Sequence, residues 1–258
     1  MKIGDLIQAA WLIGLIEKLT GLIAVVFLVI FCPSCALQST RNIPGLPFES
    51  FVKIDAKYVK VDCPNRLTDP SCLVDSGVGS GAIISVGGAL QILTAGHVCH
   101  VIEEMTENAK DSSGSTLVDV MIHSDNGAAY AAFVLSIHPL GDICLMGTNE
   151  VLHTHSAVIA HSNPLRAEVV WGLMAPAGVS GPGLVPVISG HFSGGDNMLS
   201  VFTVPSHPGG SGGPIVNSDG RIVGIVSQIH KDFHHIVLSP SLYLIKEFVL
   251  TSSKDAVK

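Results

Sequence analysis

The sequence predicts an all-β protein of the sandwich or barrel kind, and three observations carry that reading. Short apolar runs recur with Gly, Pro, Asn and Asp between them: GAIISV, QILTA, LVDVMIH, AAYAAFVLSI, AEVVWGLM, GLVPVISG, MLSVFTV, GPIVN and RIVGIVSQ. The composition is 47% hydrophobic and 14% charged, with 27 Gly and 14 Pro against two Trp and three Tyr. Such a mix suits a turn-rich β protein, disfavours a helical bundle, and holds too much apolar surface for disorder. Finally, Asn217-Ser218-Asp219-Gly220 between two apolar runs reads as a hairpin turn, because Asp and Gly tolerate the backbone angles such turns need.

Taken from the N-terminus, residues 1–36 read as a signal peptide or membrane anchor. From Leu19 to Phe31 the only polar side chain is Thr20. Cleavage after Ala36 fits the small residues Ser34 and Ala36. An uncleaved anchor fits because Leu19 to Ala36 is just long enough to span a bilayer. A lipoprotein acylated on Cys35 is a third reading, with a poor match in Cys32, Pro33 and Ser34. Each puts the chain in contact with a membrane through this segment, exported or membrane-anchored, with its folded part outside the cytoplasm.

Residues 37–60 read as a linker and first strand, and 61–258 as the folded domain. Only two helices are expected. One is a short turn after His97. The other covers 239–253, with Ser239 as cap, Pro240 at the first helical position and LYLIKEFVL behind it. The net charge of −7, without a Lys/Arg cluster, leaves nucleic-acid binding no electrostatic basis.

Of the six cysteines, Cys63, Cys72, Cys99 and Cys144 lie in the folded part, where three pairings exist. Cys63–Cys72 is the favoured disulfide, closing a short loop with Pro64, Asn65, Asp69 and Pro70, and worth roughly 2–3 kcal/mol. Cys99 and Cys144 fit buried thiols about as well as a pair.

Serine is a poor nucleophile until a base takes its proton, and the base needs a third group to fix its tautomer. Ser211 stands in Gly209-Gly210-Ser211-Gly212-Gly213-Pro214, where glycines allow a sharp turn and close approach of a substrate carbonyl. The N–H groups of Gly209 and Ser211 are candidate donors to a developing oxyanion. His97 stands in Thr94-Ala95-Gly96-His97-Val98, and Asp142 opens the apolar run Asp142-Ile143-Cys144-Leu145-Met146.

In that order, TAGHV, DICLM and GGSGGP resemble the three signature blocks of trypsin-like serine peptidases. GGSGGPIVNSDGRIVGIVS is most similar to the high-temperature-requirement branch, and the resemblance covers roughly residues 75 to 250. It implies a double β-barrel, with barrels at about 61–150 and 165–238 and the site in the cleft between them. It implies His97 as general base, Asp142 as its orienting partner and Ser211 as nucleophile, acting on a protein or peptide substrate through an acyl-enzyme. Ser227 matches the strand serine lining the substrate cleft, and Trp171-Gly172 through Ala177-Gly178 resembles the strand and turn of the second barrel. By the family spacing the floor of the primary pocket falls near Pro205, with Val226 to Ile229 along one wall. None of these is charged, so small or aliphatic residues are expected before the cut. The chain departs from many digestive members at Gly210, where they carry an Asp that pairs with a new N-terminus. No zymogen activation of that kind is expected, nor a C-terminal peptide-binding (PDZ) domain.

Other readings are weaker. Gly209 to Gly213 also matches the nucleophile elbow of α/β-hydrolases, but that elbow needs a following helix and the order Ser, Asp, His. Here Pro214 and a hairpin follow. His97, Cys99 and His100 lack the spaced second cluster of a zinc site, so no metal and no cofactor is expected. His153, His155, His234 and His235 read as loop or solvent-facing residues, and His207, four residues before Ser211, as a loop residue or a substrate contact. Asp111, Asp119 and Asp125 compete with Asp142 without a comparable context. Met174 and Trp171 read as core. A catalytically silent domain of the same fold, used as a membrane-associated binding or scaffold module, is the rival function class.

Overall fold

Strand β1 (Phe51–Lys60) buries alternate residues, Val52, Ile54 and Ala56, as a strand packed on one face must. It pairs antiparallel with both β2 (Leu73–Val86) and β4 (Thr116–Ser124). With β3 (Ala89–Thr94), β5 (Ala129–Ile137) and β6 (Cys144–Thr148) these strands close a barrel in the order β1-β2-β3-β6-β5-β4. The computed structural model describes residues 45–63, 69–112, 115–230 and 233–255. The signal-peptide or anchor segment 1–36, and the linker as far as residue 44, lie outside the described residues. Among the described residues no helix is long and apolar enough to cross a membrane. The first barrel starts at Phe51, ten residues before the boundary read from the sequence, because β1 closes it.

The second half is a seven-stranded antiparallel sheet. Its strands are β7 (Val169–Leu173), β8 (Val187–Gly195), β9 (Leu199–Phe202), β10 (Pro214–Val216), β11 (Ile222–Ile225), β12 (Gln228–His230) and β13 (Phe233–Pro240). The order is β11-β10-β7-β8-β9-β13-β12. The sheet rolls back on itself: the Ile225 N–H donates to Ser239 Oγ at 2.9 Å and the Ser227 N–H to the Leu238 carbonyl at 3.1 Å. The result is the all-β double barrel the sequence motifs imply. The expected hairpin turn joins β10 to β11, with the Asp219 and Arg221 N–H groups both donating to Asn217 Oδ1 and Gly220 at φ +72.

Both helices differ from expectation. The short turn after His97 is a helix of 16 residues, α1 (Gly96–Asp111). Its buried face is narrow, only Gly96, Cys99, Ile102 and Met105, while Glu103, Glu104 and Glu107 face water. Burying Ile102 and Met105 contributes about 1.5–3 kcal/mol each. The C-terminal helix α2 (Leu242–Asp255) begins three residues later than residue 239. Ser239 and Pro240 are taken by β13, where they pair with Ser200 and Leu199, and Ser241 caps the helix by accepting the Leu244 N–H at 3.2 Å.

Between the halves lies one shared core, in which Phe51, Ile84 and Leu145 of the first meet Leu173, Val216 and Ile225 of the second, and Ile245 and Phe248 of α2. The connection from β6 to β7 is stitched to both sides. The Ala157 N–H donates to the Ile83 carbonyl and the Ala160 N–H to the Ile222 carbonyl, each at 2.8 Å.

Candidate active site

Thr94, the last residue of β3, stands opposite Cys144, the first of β6. Continuing that antiparallel register by two residues sets Gly96 against Asp142. The approach is so close that a Cβ on Gly96 would lie 2.9 Å from Asp142 Oδ1 and 3.0 Å from the Ile143 nitrogen, so only glycine fits. His97 follows in the first turn of α1. Its Nδ1 lies 2.8 Å from Asp142 Oδ2, and its backbone N–H donates to Asp142 Oδ1 at 2.6 Å. One carboxylate therefore grips both the ring and the backbone of the histidine. Cys99, two residues on, is disulfide-bonded to Cys144, two residues after Asp142. The staple joins α1, which carries His97, to β6, which begins two residues after Asp142. Cys63 and Cys72 form the second disulfide.

Ser227 hydroxyl also donates to Asp142 Oδ2, at 2.5 Å. Burial pushes the Asp142 carboxyl up, but bonds from the His97 ring, Ser227 and the His97 N–H outweigh it and hold the group below its usual 3.8. Asp142 is thus a carboxylate at any pH near neutral. The three rival aspartates sit elsewhere. Asp111 ends α1, Asp119 lies on β4 opposite Lys57, and Asp125 follows β4 in the turn to β5.

Ser211 lies across the cleft from His97, and the two line one small cavity. Among the described residues no hydrogen bond joins the Ser211 hydroxyl to the His97 ring. Such contacts often tighten only when substrate is bound. The loop before the serine is held by its carbonyl groups. The Ala177 N–H donates to the Pro208 carbonyl at 2.7 Å, and the Gly213 N–H to the Gly210 carbonyl at 2.9 Å. In a trans peptide the C=O and the following N–H point opposite ways. Fixing these two carbonyls therefore turns the Gly209 and Ser211 N–H groups away from those contacts, and among the described residues neither has an acceptor. Gly209 has φ +93, and a Cβ there would lie 2.5 Å from the Ala175 carbonyl, so the residue must be glycine.

Ser80, on β2, was not singled out by the sequence, yet it ties this loop to the first barrel. Its fully buried hydroxyl donates to the Gly209 carbonyl at 2.8 Å and accepts the Ala175 N–H at 2.9 Å. Its own N–H donates to the Ser211 carbonyl at 2.7 Å. Ala177, a non-glycine residue at φ +52, completes the support. Contacts between residues 129 apart in the chain leave no local sequence signal.

The remaining sequence candidates are spread around this centre. Val226 is fully buried, and its carbonyl accepts the Gly212 N–H at 2.6 Å. Ile229 sits half-buried on β12, an edge strand that pairs only with β13. Pro205 is half-buried, and its buried neighbour Ser206 donates its N–H to the His234 carbonyl. His207 is exposed; its carbonyl accepts the Gly210 N–H at 2.9 Å. His100 is exposed beside Glu103, and Cys99 is consumed in its disulfide, so His97, Cys99 and His100 do not converge. His153 and His155 line a surface depression with Glu49 and Asp125.

Comparison with known proteins gives a consistent picture. Residues 79–225 match the family model of the trypsin-like peptidase domain. Over 167 residues the chain is 29% identical to the serine protease Do-like HtrA of Bacillus subtilis, which covers 62% of this chain and 35% of that protein. Over 154 residues it is 30% identical to the serine protease HTRA1 of Xenopus laevis, at 59% and 31% coverage. The chain thus spans about a third of the length of these curated relatives. Among solved structures, the serine endoprotease from Yersinia pestis aligns at TM-score 0.60 and 17% identity, covering 81% of this chain and 65% of that one. A protease from M. tuberculosis in its active form aligns at TM-score 0.53 and 18% identity, covering 76% and 77%. The structural likenesses concern the fold.

Proposed function

Because this chain belongs to the trypsin-like peptidase domain family, we propose that it is a serine endopeptidase in which Ser211, His97 and Asp142 form the catalytic triad. The observation that carries the reading is the double grip of Asp142 on His97, with Ser211 facing the same cavity. The carboxylate holds the Nδ1 proton, leaving Nε2 free to take the proton of Ser211 as its oxygen attacks the scissile carbonyl. The Gly209 and Ser211 N–H groups receive the oxyanion of the tetrahedral intermediate, each worth about 3 kcal/mol of transition-state stabilisation. The imidazolium then protonates the leaving amine, and an acyl-enzyme remains on Ser211. A water activated by the same His97 releases the acyl group.

The substrate is a peptide or protein. Its acyl side runs past Ser227 and along the edge of β12 as far as Ile229, with the side chain before the cut in a pocket near Pro205, walled by Val226. The absence of charge among these residues supports a preference for small or aliphatic side chains. His207 stands at the rim. Two disulfides among the described residues support a destination in an oxidising compartment.

A fluorophosphonate probe tests the nucleophile. Wild-type protein is expected to be labelled at Ser211 and to cleave a peptide library. Ser211→Ala is expected to lose the label and at least about 10⁴-fold in kcat. An unlabelled wild type with no peptidase activity distinguishable from Ser211→Ala would make this a silent domain and overturn the proposal.

A further inference from the structure

Beside the Ser211–His97 pair opens a slot of about 80 Å³ that none of the triad roles explains. It lies between β2 and α1, wholly on the first-barrel side apart from Ser211 itself. Ile54 and Ala56 of β1 form its floor, Val98, Val101 and Ile102 of α1 one wall, and Val78 its lip. The space exists because β2 carries glycine at 77 and 79, two positions on the same face of the strand, both turned toward α1. A Cβ on Gly79 would lie 3.0 Å from Val98 Cγ1, and one on Gly77 would lie 3.5 Å from Val101 Cγ1. The volume is several times what one water needs, yet the walls offer water no polar side chain beyond His97 and Ser211 at the mouth. Val78 and Val101 remain 39% and 40% exposed at the entrance, apolar side chains left without cover.

The position assigns the slot to one side of the substrate. His97 hands its proton to the departing amine, so the residue after the scissile bond leaves past the imidazole. The imidazole belongs to α1, and the slot runs along α1 from that point. The acyl side occupies the opposite edge, along β12. We infer that the slot is a specificity site for the residue immediately following the scissile bond and that it selects a branched aliphatic side chain, valine, isoleucine or leucine. The inference rests on the serine-peptidase reading. An aliphatic side chain fills apolar space that water fills poorly, whereas a carboxylate or ammonium there would be buried without a partner. Pocket discrimination of this kind is typically worth ten- to two-hundredfold.

The test uses the full chain and peptides identical up to the cut, followed by Val, Leu, Gly, Asp or Lys. An aryl ester of the same acyl group, which has no residue after the cut, serves as reference. Each protein's peptide rates are divided by its own ester rate, so a general loss of activity cancels. Wild type is expected to favour Val and Leu over Gly and Asp by at least about tenfold in kcat/KM. Gly77→Ala adds a methyl at ordinary contact distance and is expected to bring the ratio to within about twofold of unity. Val101→Ala widens the slot from a half-exposed position and is expected to shift the preference from Val toward Leu. A wild type that hydrolyses the ester but shows no discrimination after the cut overturns the slot while leaving the serine reading intact. Discrimination unchanged in both variants does the same. A wild type inert toward ester and fluorophosphonate alike overturns the serine reading and the slot with it.

Discussion

The two halves of the molecule hold their shares of the site by different means. The first is a closed six-stranded barrel carrying both disulfides of the described residues, and it delivers His97 from the first turn of α1 and Asp142 from the bend two residues before β6. The second is a seven-stranded sheet, rolled back on itself, that delivers Ser211 from a loop, with Gly209 and Gly212 at positive φ. A disulfide and strand register fix His97 against Asp142, whereas hydrogen bonds between peptide groups fix Ser211 and the Gly209 and Ser211 N–H groups. The lesson is that the loop does not stand on its own half. Ser80 of the first barrel supplies the hydroxyl that bridges Gly209 and Ala175.

Mutations separate the two modes. The largest effect is expected from Asp142→Asn, which keeps the shape but favours the wrong His97 tautomer, lowering kcat by about 10⁴. The same change alters acid stability. Because the folded pKa of Asp142 is depressed, its contribution is in place above 3.8 and lost only as the pH falls through the lower folded value. Acid titration of unfolding should show that limb in wild type and not in Asp142→Asn.

Next comes Ser80→Ala, which strands a buried carbonyl and a buried N–H. If the first half truly braces the loop, kcat should fall about 10²-fold, the scale of one lost oxyanion donor, with KM within about threefold. A wild-type kcat in a folded Ser80→Ala protein breaks the comparison, since the loop would then be self-supporting.

The smallest effect on turnover is expected from replacing Cys99 and Cys144 together by alanine. Asp142 still grips His97 twice, so kcat should change by less than about tenfold. Denaturant unfolding should nonetheless reveal a stability loss of roughly 4 kcal/mol for the 45-residue separation, against roughly 2.5 kcal/mol for the 9-residue pair Cys63–Cys72. Equal losses at the two bridges would show that the staple beside His97 constrains no more chain than the peripheral one.

What was legible in the sequence follows the same division. His97, Asp142 and Ser211 each sit in a short motif whose neighbours shape the local backbone, so all three stood out residue by residue. The hairpin at 217–220 was legible because its turn chemistry is local. The length of α1 was not, because only Cys99, Ile102 and Met105 mark its inner face among side chains that otherwise favour water. The start of α2 was misread at Ser239-Pro240 because a strand end and a helix cap use the same residue types, and only pairing with Leu199 and Ser200 distinguishes them. Ser80 and the slot at Gly77 and Gly79 were invisible because each depends on chain segments brought together from afar, and Ala177, though part of a strand and turn the sequence suggested, carries no local sign of its φ of +52.

The connection at 149–168 has a mechanical consequence. Within four residues it bonds to the first barrel through Ala157 and to the second through Ala160, over a core the halves share. A segment sewn to both sides cannot act as a hinge, and so large and apolar a contact resists the relative motion common between loosely joined domains. A cleft between halves so joined adjusts little in width. On the endopeptidase reading proposed above, a folded substrate must therefore present a strand already loose enough to thread it, so the rate at which a target protein frays locally, more than any motion of this molecule, sets how fast it is cut.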